Sequence, residues 1–544
     1  MMGWLKRWSL VREGFSSGKF RRQVASEEGS LSSWLEESGL VRIILLILST
    51  LAVARIGLWS NPDPVAHVLV FTALFMLVFT VVIPFRVPEA WKSNHLLLLL
   101  VGSLIVNFFT NKTLYLYSDL IHIYDIAPAR LIVPAALAPM LASILIAPHA
   151  GLIVGLFLAL LGNLFIDPSP SFLLANLLPA FAASFFTRRI RRRSDLLMAG
   201  VGVGVVGLLC ALMLGSLQRA EPVFLIVQSV WAVALGVLTA LVVSAILPIL
   251  EWLFDRITDI SWVELTDLNH PLLRRMMIEA PGTYQHSLMV ANLSEAAAES
   301  IGANSTQCRV SAYFHDIGKL TKPNYFIENS AHEKNPHDDL APSMSALIVI
   351  AHVKDGVDLA LKYRLRKPII DVIQQHHGDS LVFYFYKKAQ QQAADARAGG
   401  KILGMREDDV PDVEEPSFRY PGPRPQFKES AIVSLADSIE SASRSLKNPT
   451  AQKVENLVRE IVRDRVEDGQ LNESQLTFNE LAAITDRFCF TLKNMLHARI
   501  EYPKSKGEEE REKDREKAAA RASGDSQSAA PVPAQGKGPD ATRT

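Results

Sequence analysis

Five histidines and two aspartates in the second half of this 544-residue chain have the types and spacing of a metal centre: His286, His315, Asp316, His352, His376, His377 and Asp437. Each falls in or at the end of a segment of helical periodicity, among apolar neighbours. A single histidine in such a place is ordinarily a hydrogen-bonded core or surface residue. Five of them, with the adjacent pairs His315-Asp316 and His376-His377 and a distant Asp437, imply helix ends converging on one cavity. Nitrogen and oxygen donors without a thiolate suit Fe, Mn or Zn rather than a cysteine-rich structural zinc. Cys210, Cys308 and Cys489 are far apart and match no zinc or disulfide spacing. Asp316 is the natural bridge, because a carboxylate has one oxygen for each of two metals. Two divalent ions about 3.5–4 Å apart can hold a hydroxide nucleophile and stabilise an in-line displacement at phosphorus. His332 and His337 lie in a polar stretch and are expected to face substrate or solvent rather than a metal.

The elements that must position these residues read as helices, with little strand-like alternation from Arg256 to Pro503. After the turn at Ala280-Pro281-Gly282-Thr283, a helix carries His286, Val290, Leu293, Ala297 and Ile301 on one face. A second helix, 307–314, leads into His315-Asp316 before Gly318; a third, 342–352, is expected to break at Asp355-Gly356. The fourth begins at Pro368, a favourable first helical position, and delivers His376 and His377 before Gly378. The fifth, 430–446, carries Asp437. Between the last two, 389–427 is rich in Gln, Asp, Pro and Gly and reads as a long excursion, a lid or a loop.

The first half is different in kind. A mean hydropathy of +0.17 is high for a soluble enzyme, yet 21% charged residues is too many for a protein wholly in lipid, so the average spans two unlike parts. Apolar segments at 41–59, 64–85, 96–111, 128–147, 150–166, 170–187, 196–217 and 225–253 each approach the length of a membrane span. One buried apolar helix is common in a soluble core, whereas eight in succession are not. Lys6, Arg7, Arg12, Lys19, Arg21 and Arg22 precede the first span; Arg86 and Lys92 precede the third; Arg188, Arg189, Arg191, Arg192 and Arg193 precede the seventh. With eight crossings all three basic groups share one side, which makes both termini cytoplasmic. The opposite side keeps little beyond Lys112 and Arg219. The first span lacks a signal-peptide cleavage pattern, and only residues 60–63 separate it from the second. Asn107, Arg130, Asn163 and Asn176 lie in or near spans, where interhelical hydrogen bonding is the plainer role for the asparagines. Gly200, Gly202, Gly204 and Gly207 permit close helix packing.

The pattern His286, His315-Asp316, Asp437 resembles the HD phosphohydrolase superfamily. More specifically, Pro281-Gly282-Thr283-Tyr284-Gln285-His286-Ser287, His315-Asp316-Ile317-Gly318-Lys319 and Gln375-His376-His377-Gly378 resemble the membrane-bound PgpH-type cyclic di-AMP phosphodiesterases. So do Phe418-Arg419-Tyr420-Pro421-Gly422-Pro423 and Leu435-Ala436-Asp437-Ser438. The resemblance implies an all-α protein: a polytopic transmembrane bundle followed by an all-helical cytoplasmic HD domain. The chain then divides into a cytoplasmic arm (1–40), a first transmembrane helix (41–59), a seven-helix module (64–254), the HD domain (256–503) and a disordered charged tail (504–544).

By the same resemblance His286, His315, Asp316 and Asp437 hold one metal, and Asp316, His352, His376 and His377 hold the other. The two ions are Fe or Mn, the substrate is cyclic di-AMP and the product is linear pApA. Asp316 and Lys319 are the expected catalytic residues, Lys319 lending charge to a phosphate oxygen or else forming a salt bridge at the helix end. The location is the inner (plasma) membrane, multi-pass, with the membrane helices as a route of regulation. The chain departs from the family's pattern where a large extracytoplasmic domain commonly follows the first span: four residues, 60–63, stand there.

Three alternatives stay open. Cyclic di-GMP hydrolysis is disfavoured because Gly378-Asp379-Ser380-Leu381 stands where that subgroup carries Gly-Tyr-Pro. A non-catalytic nucleotide receptor tends to lose ligands, whereas this set is complete. A transporter would place charges inside its spans, and those visible sit near the ends. Zero formal net charge argues against a DNA or RNA polymer as partner. It does not argue against a small anionic dinucleotide, since two metal ions supply positive charge locally. The expected partners are cyclic di-AMP and the lipid bilayer, with homo-oligomerisation left open.

Overall fold

The computed structural model describes residues 35–60, 63–120, 133–330, 335–402, 412–446 and 449–497. Among these residues the chain is helical, with no β-sheet and one isolated bridge between Leu381 and Arg419. The apolar part comprises α1 (Gly39–Gly57), α2 (Val65–Arg86), the short α3 (Pro88–Lys92), α4 (Asn94–Leu120), α5 (Leu137–Leu145), α6 (Pro148–Phe165), α7 (Pro170–Phe186), α8 (Arg193–Leu217) and α9 (Pro222–Leu253). Six of these, α1, α2, α4, α6, α8 and α9, are long and apolar enough to cross a membrane, and α7 is slightly shorter at 17 residues. Their outward faces carry exposed Ile43, Ile47, Leu74, Val78, Ile226 and Leu238, as lipid contact requires.

The span expected at 128–147 is not one continuous helix. Residues 133–136 are non-helical and α5 has only 9 residues, about 14 Å at 1.5 Å per residue. That is under half of a hydrocarbon core of about 30 Å. Residues 128–132, with Arg130, lie outside the described part. Pro134 has no N–H to donate, and Asn107 of α4 compensates the exposed backbone. Its Nδ2 donates to the Pro134 carbonyl at 3.0 Å, and its Oδ1 accepts from the Ala138 N–H at 3.0 Å. Irregular backbone is tolerated at such depth only when protein satisfies it. Asn107 thus bonds between helices as expected, whereas Asn176 donates within its own helix to Phe172. Lys112 is buried, and its Nζ donates to the Phe165 carbonyl at 2.5 Å, a cation at the C-terminal end of α6.

Helices α8 and α9 meet through glycine. A Cβ on Gly200 would stand 2.5 Å from the Ala240 Cβ, and one on Gly236 would stand 2.5 Å from the Gly200 carbonyl. The expectation of close packing is met.

In the last turn of α9, the buried Glu251 accepts from the Thr258 N–H (3.0 Å) and the Ser261 hydroxyl (2.7 Å), securing the start of α10 (Asp259–Glu264). The second part then follows: α11 (Pro271–Glu279), α12 (Pro281–Ile301), α13 (Ser305–Phe314), α14 (Pro342–Lys362), α15 (Lys367–Gln375), α16 (Phe383–Ile402), α17 (Lys428–Ser443), α18 (Ala451–Glu467) and α19 (Phe478–His497). One apolar core joins all of these but α16, with Leu272, Val290, Phe314, Ile373, Leu435, Val458 and Phe488 fully or almost fully buried; α16 packs through Phe385 in a smaller cluster with Ala346 and Phe418. Two expectations are corrected. The third helix does not break at Asp355-Gly356 but runs to Lys362, because Gly356 is the site of a close helix contact rather than a stop. The excursion at 389–427 begins as helix, α16 reaching Ile402, since its Lys, Gln and Ala residues are good helix formers. Residues 1–34, 403–411 and 498–544 lie outside the described part, and with them most of the arm and the whole expected tail.

Candidate metal centre

Each candidate ligand is delivered by a helix or a helix end. His286 sits in the second turn of α12, behind Gly282, whose missing side chain leaves room for the Glu328 carbonyl. His315 closes α13, and Asp316 begins the tight 3₁₀ turn of Ile317–Thr321. Gly318 in that turn lies against the backbone carbonyl of His352, where any Cβ would overlap it. That contact brings the His315-Asp316 pair beside α14. His376 and His377 follow the last turn of α15, and Gly378 at φ +55° ends it in the left-handed region that favours glycine. Asp437 faces inward from the middle of α17.

The seven side chains form two groups. His286, His315, Asp316 and Asp437 bring one ligand atom each within 4.8 Å of one another, and so do His352, His376 and His377. Asp316 stands between them. Its Oδ2 is 3.5 Å from His286 Nε2 and 3.3 Å from His315 Nε2. Its Oδ1 is 3.3 Å from His352 Nε2 and 3.8 Å from His376 Nε2. Asp437 Oδ1 lies 3.0 Å from His286 Nε2, and its Oδ2 lies 3.8 Å from His377 Nδ1.

Four rings are oriented from behind. The Nδ1–H of His315, His352 and His376 donates to the carbonyl three residues earlier, of Ala312 (2.7 Å), Val349 (2.5 Å) and Ile373 (2.8 Å). His286 Nδ1–H donates to Glu440 Oε2 at 2.5 Å. Each bond puts the proton on Nδ1 and leaves Nε2 facing the cavity, the arrangement of metal-binding imidazoles.

The residues fit metal binding. His315 Nε2 and Asp316 Oδ1 are buried without a hydrogen-bond partner, and Asp316 Oδ2 meets the Lys319 ammonium at 2.8 Å. Unsatisfied buried polar atoms are costly, and cations would satisfy both groups. The donor set suits Fe, Mn or Zn. The electrostatics agree. Burial lowers the His315 imidazole, but Asp316 and Asp437 outweigh it and hold the ring up at about 10. Burial likewise opposes a charge on His286, which Asp437 and Glu440 overcome. Burial and the neighbouring charges of His315 and His352 push His376 down to about 3. The first group therefore draws positive charge, and protons on His286 and His315 compete with a cation for it.

Lys319, half-buried, forms an ion pair with Asp316 and with Glu328 Oε1 at 2.9 Å, beside the Phe326 ring. Of its two expected roles, the salt bridge is formed. His337 does not face solvent: it is buried, bonded through Nε2 to the Tyr325 carbonyl (2.8 Å) and packed on Phe385. His332 lies outside the described residues. Sequence reasoning missed Glu440, although it stands three residues after Asp437 and so shares its helix face. It also missed Glu328, which ties Lys319 to the Thr283 hydroxyl (3.1 Å). Tyr420, stacked on His377 with ring centres 4.3 Å apart, was singled out only as part of a resembling stretch.

Fold and site together define a multi-pass helical membrane protein whose following domain carries a two-lobed His/Asp centre. Residues 63–258 match the family described as a 7TM receptor with intracellular HD hydrolase, and residues 283–442 match the HD domain. The chain is similar to the cyclic-di-AMP phosphodiesterase PgpH of Bacillus subtilis (strain 168), 37% identical over 69% of this chain and 51% of that protein. It is similar also to PgpH of Listeria monocytogenes serotype 1/2a (strain 10403S), 36% identical over 77% of this chain and 56% of that protein. The chain spans about half the length of these curated relatives. The crystal structure of the L. monocytogenes PgpH HD domain in complex with cyclic-di-AMP is 43% identical, covering 42% of this chain and 99% of that one, with a TM-score of 0.38. The resemblance to the PgpH-type proteins holds in both the membrane helices and the HD domain.

Proposed function

We propose that this protein is a dinuclear-metal phosphodiesterase that hydrolyses cyclic di-AMP to linear pApA on the cytoplasmic side of the plasma (inner) membrane. The observation that carries the reading is Asp316, which turns one oxygen to each of two buried groups. His286, His315, Asp316 and Asp437 would hold one ion, and Asp316, His352, His376 and His377 would hold the other, Fe or Mn in each case. Bound ions of this kind activate water and offset charge at phosphorus. The protein's own part is to fix that geometry. Three backbone carbonyls and Glu440 lock four imidazoles in the required tautomer. Lys319, held charged against its burial by Asp316 and Glu328, stands beside the bridge, where a phosphate oxygen would compete with Glu328 for its ammonium.

The substrate assignment draws on the names of the similar proteins and on the lack of Gly-Tyr-Pro after His377. A preference for cyclic di-GMP in a competition assay with Mn²⁺ would overturn it. The sidedness is supported by Arg193, beside the basic run between α7 and α8, whose Nε donates to Glu264 of α10 at 2.8 Å. The most basic loop and the start of the HD domain thus share one side, which the charge rule makes cytoplasmic. Regulation from the membrane would pass through the same joint, where Glu251 holds Thr258 and Ser261. The deciding experiment is metal analysis with product identification for full-length wild type and Asp316→Ala. Loss of both metal and pApA is expected, and a variant that stays active without bound metal would refute the mechanism.

A further inference from the structure

One flank of α17 beside Asp437 is accessible. Among residues 431–440 of that helix, Ser438 is the side chain that is not buried, and Ser441 is exposed although its hydroxyl donates to Asp437 Oδ1 at 3.3 Å. The surface comes near the buried Asp437 at these hydroxyls. Arg465, in the last turn of α18, reaches the same flank, its Nη2 donating to Ser438 Oγ at 3.0 Å. Tyr420 lines this side as well, stacked on His377.

The other cations bordering the centre are engaged by carboxylates. Lys319 pairs with Asp316 and Glu328, Arg419 with Glu415 and Asp468, Arg424 with Asp379, and Arg444 with Glu440. Arg465 makes no such pair among the described residues, and with one bond to a serine hydroxyl most of its five N–H donors remain for a ligand.

We propose that Arg465 binds the phosphodiester of the cyclic dinucleotide that is not being cleaved. This rests on the cyclic-dinucleotide reading of the site. Such a substrate carries two phosphodiesters, and only one can occupy the His/Asp centre. The ring holds the second close by, a full negative charge that needs a counter-charge in a half-buried rim. A guanidinium suits that task because its planar fork meets two phosphate oxygens at once. Arg465 also lies beyond residues 283–442, the part that matches the HD domain, so the common HD framework does not supply it. It is placed to distinguish a two-phosphate ring from a single phosphodiester.

Full-length protein in lipid nanodiscs, loaded with Mn²⁺, is assayed as wild type, Arg465→Ala and Arg465→Lys. The substrates are cyclic di-AMP and bis(p-nitrophenyl) phosphate, a probe with one phosphodiester. KM for cyclic di-AMP should rise roughly 10- to 100-fold in Arg465→Ala, the loss of a charged hydrogen-bonded contact, and less in Arg465→Lys. Bound Mn²⁺ should match wild type, and cleavage of the probe should fall far less. An unchanged KM, or an equal loss on both substrates, overturns the proposal. Wild type that cleaves the probe but not cyclic di-AMP overturns the reading beneath it, an outcome visible without the variants.

Discussion

Replacing Glu440 by alanine should weaken one metal-binding step and spare the other. Glu440 Oε2 accepts from His286 Nδ1–H at 2.5 Å, and Arg444 grips the same carboxylate, Nε at 3.0 Å from both oxygens and Nη2 at 2.9 Å from Oε1. The carboxylate is buried, one turn beyond Asp437 on α17. It holds the His286 proton on Nδ1 and aims Nε2 at Asp316 and Asp437. A hydrogen bond to a charged group contributes about 1.5–3 kcal/mol. At about 1.4 kcal/mol per factor of ten, that is roughly 10- to 100-fold in affinity for an ion in the first group. Partners behind ligating histidines give losses of the same order. His352 and His376 lean on backbone carbonyls instead, so the second group should be unaffected. Glu440→Gln keeps an acceptor for the Nδ1–H and should lose less than Glu440→Ala. The assay is calorimetric titration of metal-stripped, full-length protein with Mn²⁺, with far-ultraviolet circular dichroism confirming an intact fold. Two binding steps of wild-type affinity in Glu440→Ala, or equal weakening of both, would show the reasoning to be wrong.

Gly318→Ala forces a Cβ into the His352 carbonyl and should destabilise the HD domain by about 3 kcal/mol; a thermal midpoint equal to wild type would count against that close contact. Mn²⁺ affinity should rise with pH, because Asp316 and Asp437, overcoming burial, hold His315 up at about 10, so near neutrality an incoming ion must displace its proton. Each displaced proton adds about tenfold per pH unit below that value, and a flat affinity from about pH 6 to about pH 8 would contradict it. Asn107→Ala strips the Ala138 N–H of its partner inside the membrane part and leaves the Pro134 carbonyl only the Leu137 N–H. Its expected cost is about 1–3 kcal/mol, read as a lowered unfolding temperature in detergent; an unchanged temperature would mean that those backbone groups find other partners.

What could be read from residues alone was chemistry and periodicity. His286, His315, Asp316, His352, His376, His377 and Asp437 stood out because donor type is a property of each side chain and a helix end is marked by local signals such as Pro281, Gly318 and Gly378. The apolar half was legible for the same reason, since lipid asks for hydropathy and length and both are local. Local signals also set the errors. Hydropathy averaged across Pro134 and Pro139 hid the break before α5, and only the arrival of Asn107 from α4 makes that break tolerable. A polar composition made the start of 389–427 look like a loop, although its residues favour helix and α16 forms there. Other features depended on packing between segments distant in the chain. Which Asp316 oxygen faces which histidines follows from Gly318 lying against α14, and the His286 tautomer follows from Glu440, 154 residues away. The approach of Arg465 to Ser438 follows from where α18 lies against α17. Sequence determined which groups were available for chemistry; tertiary structure decided their orientation, because direction and burial at a convergence of helices are set jointly by all the elements that meet there.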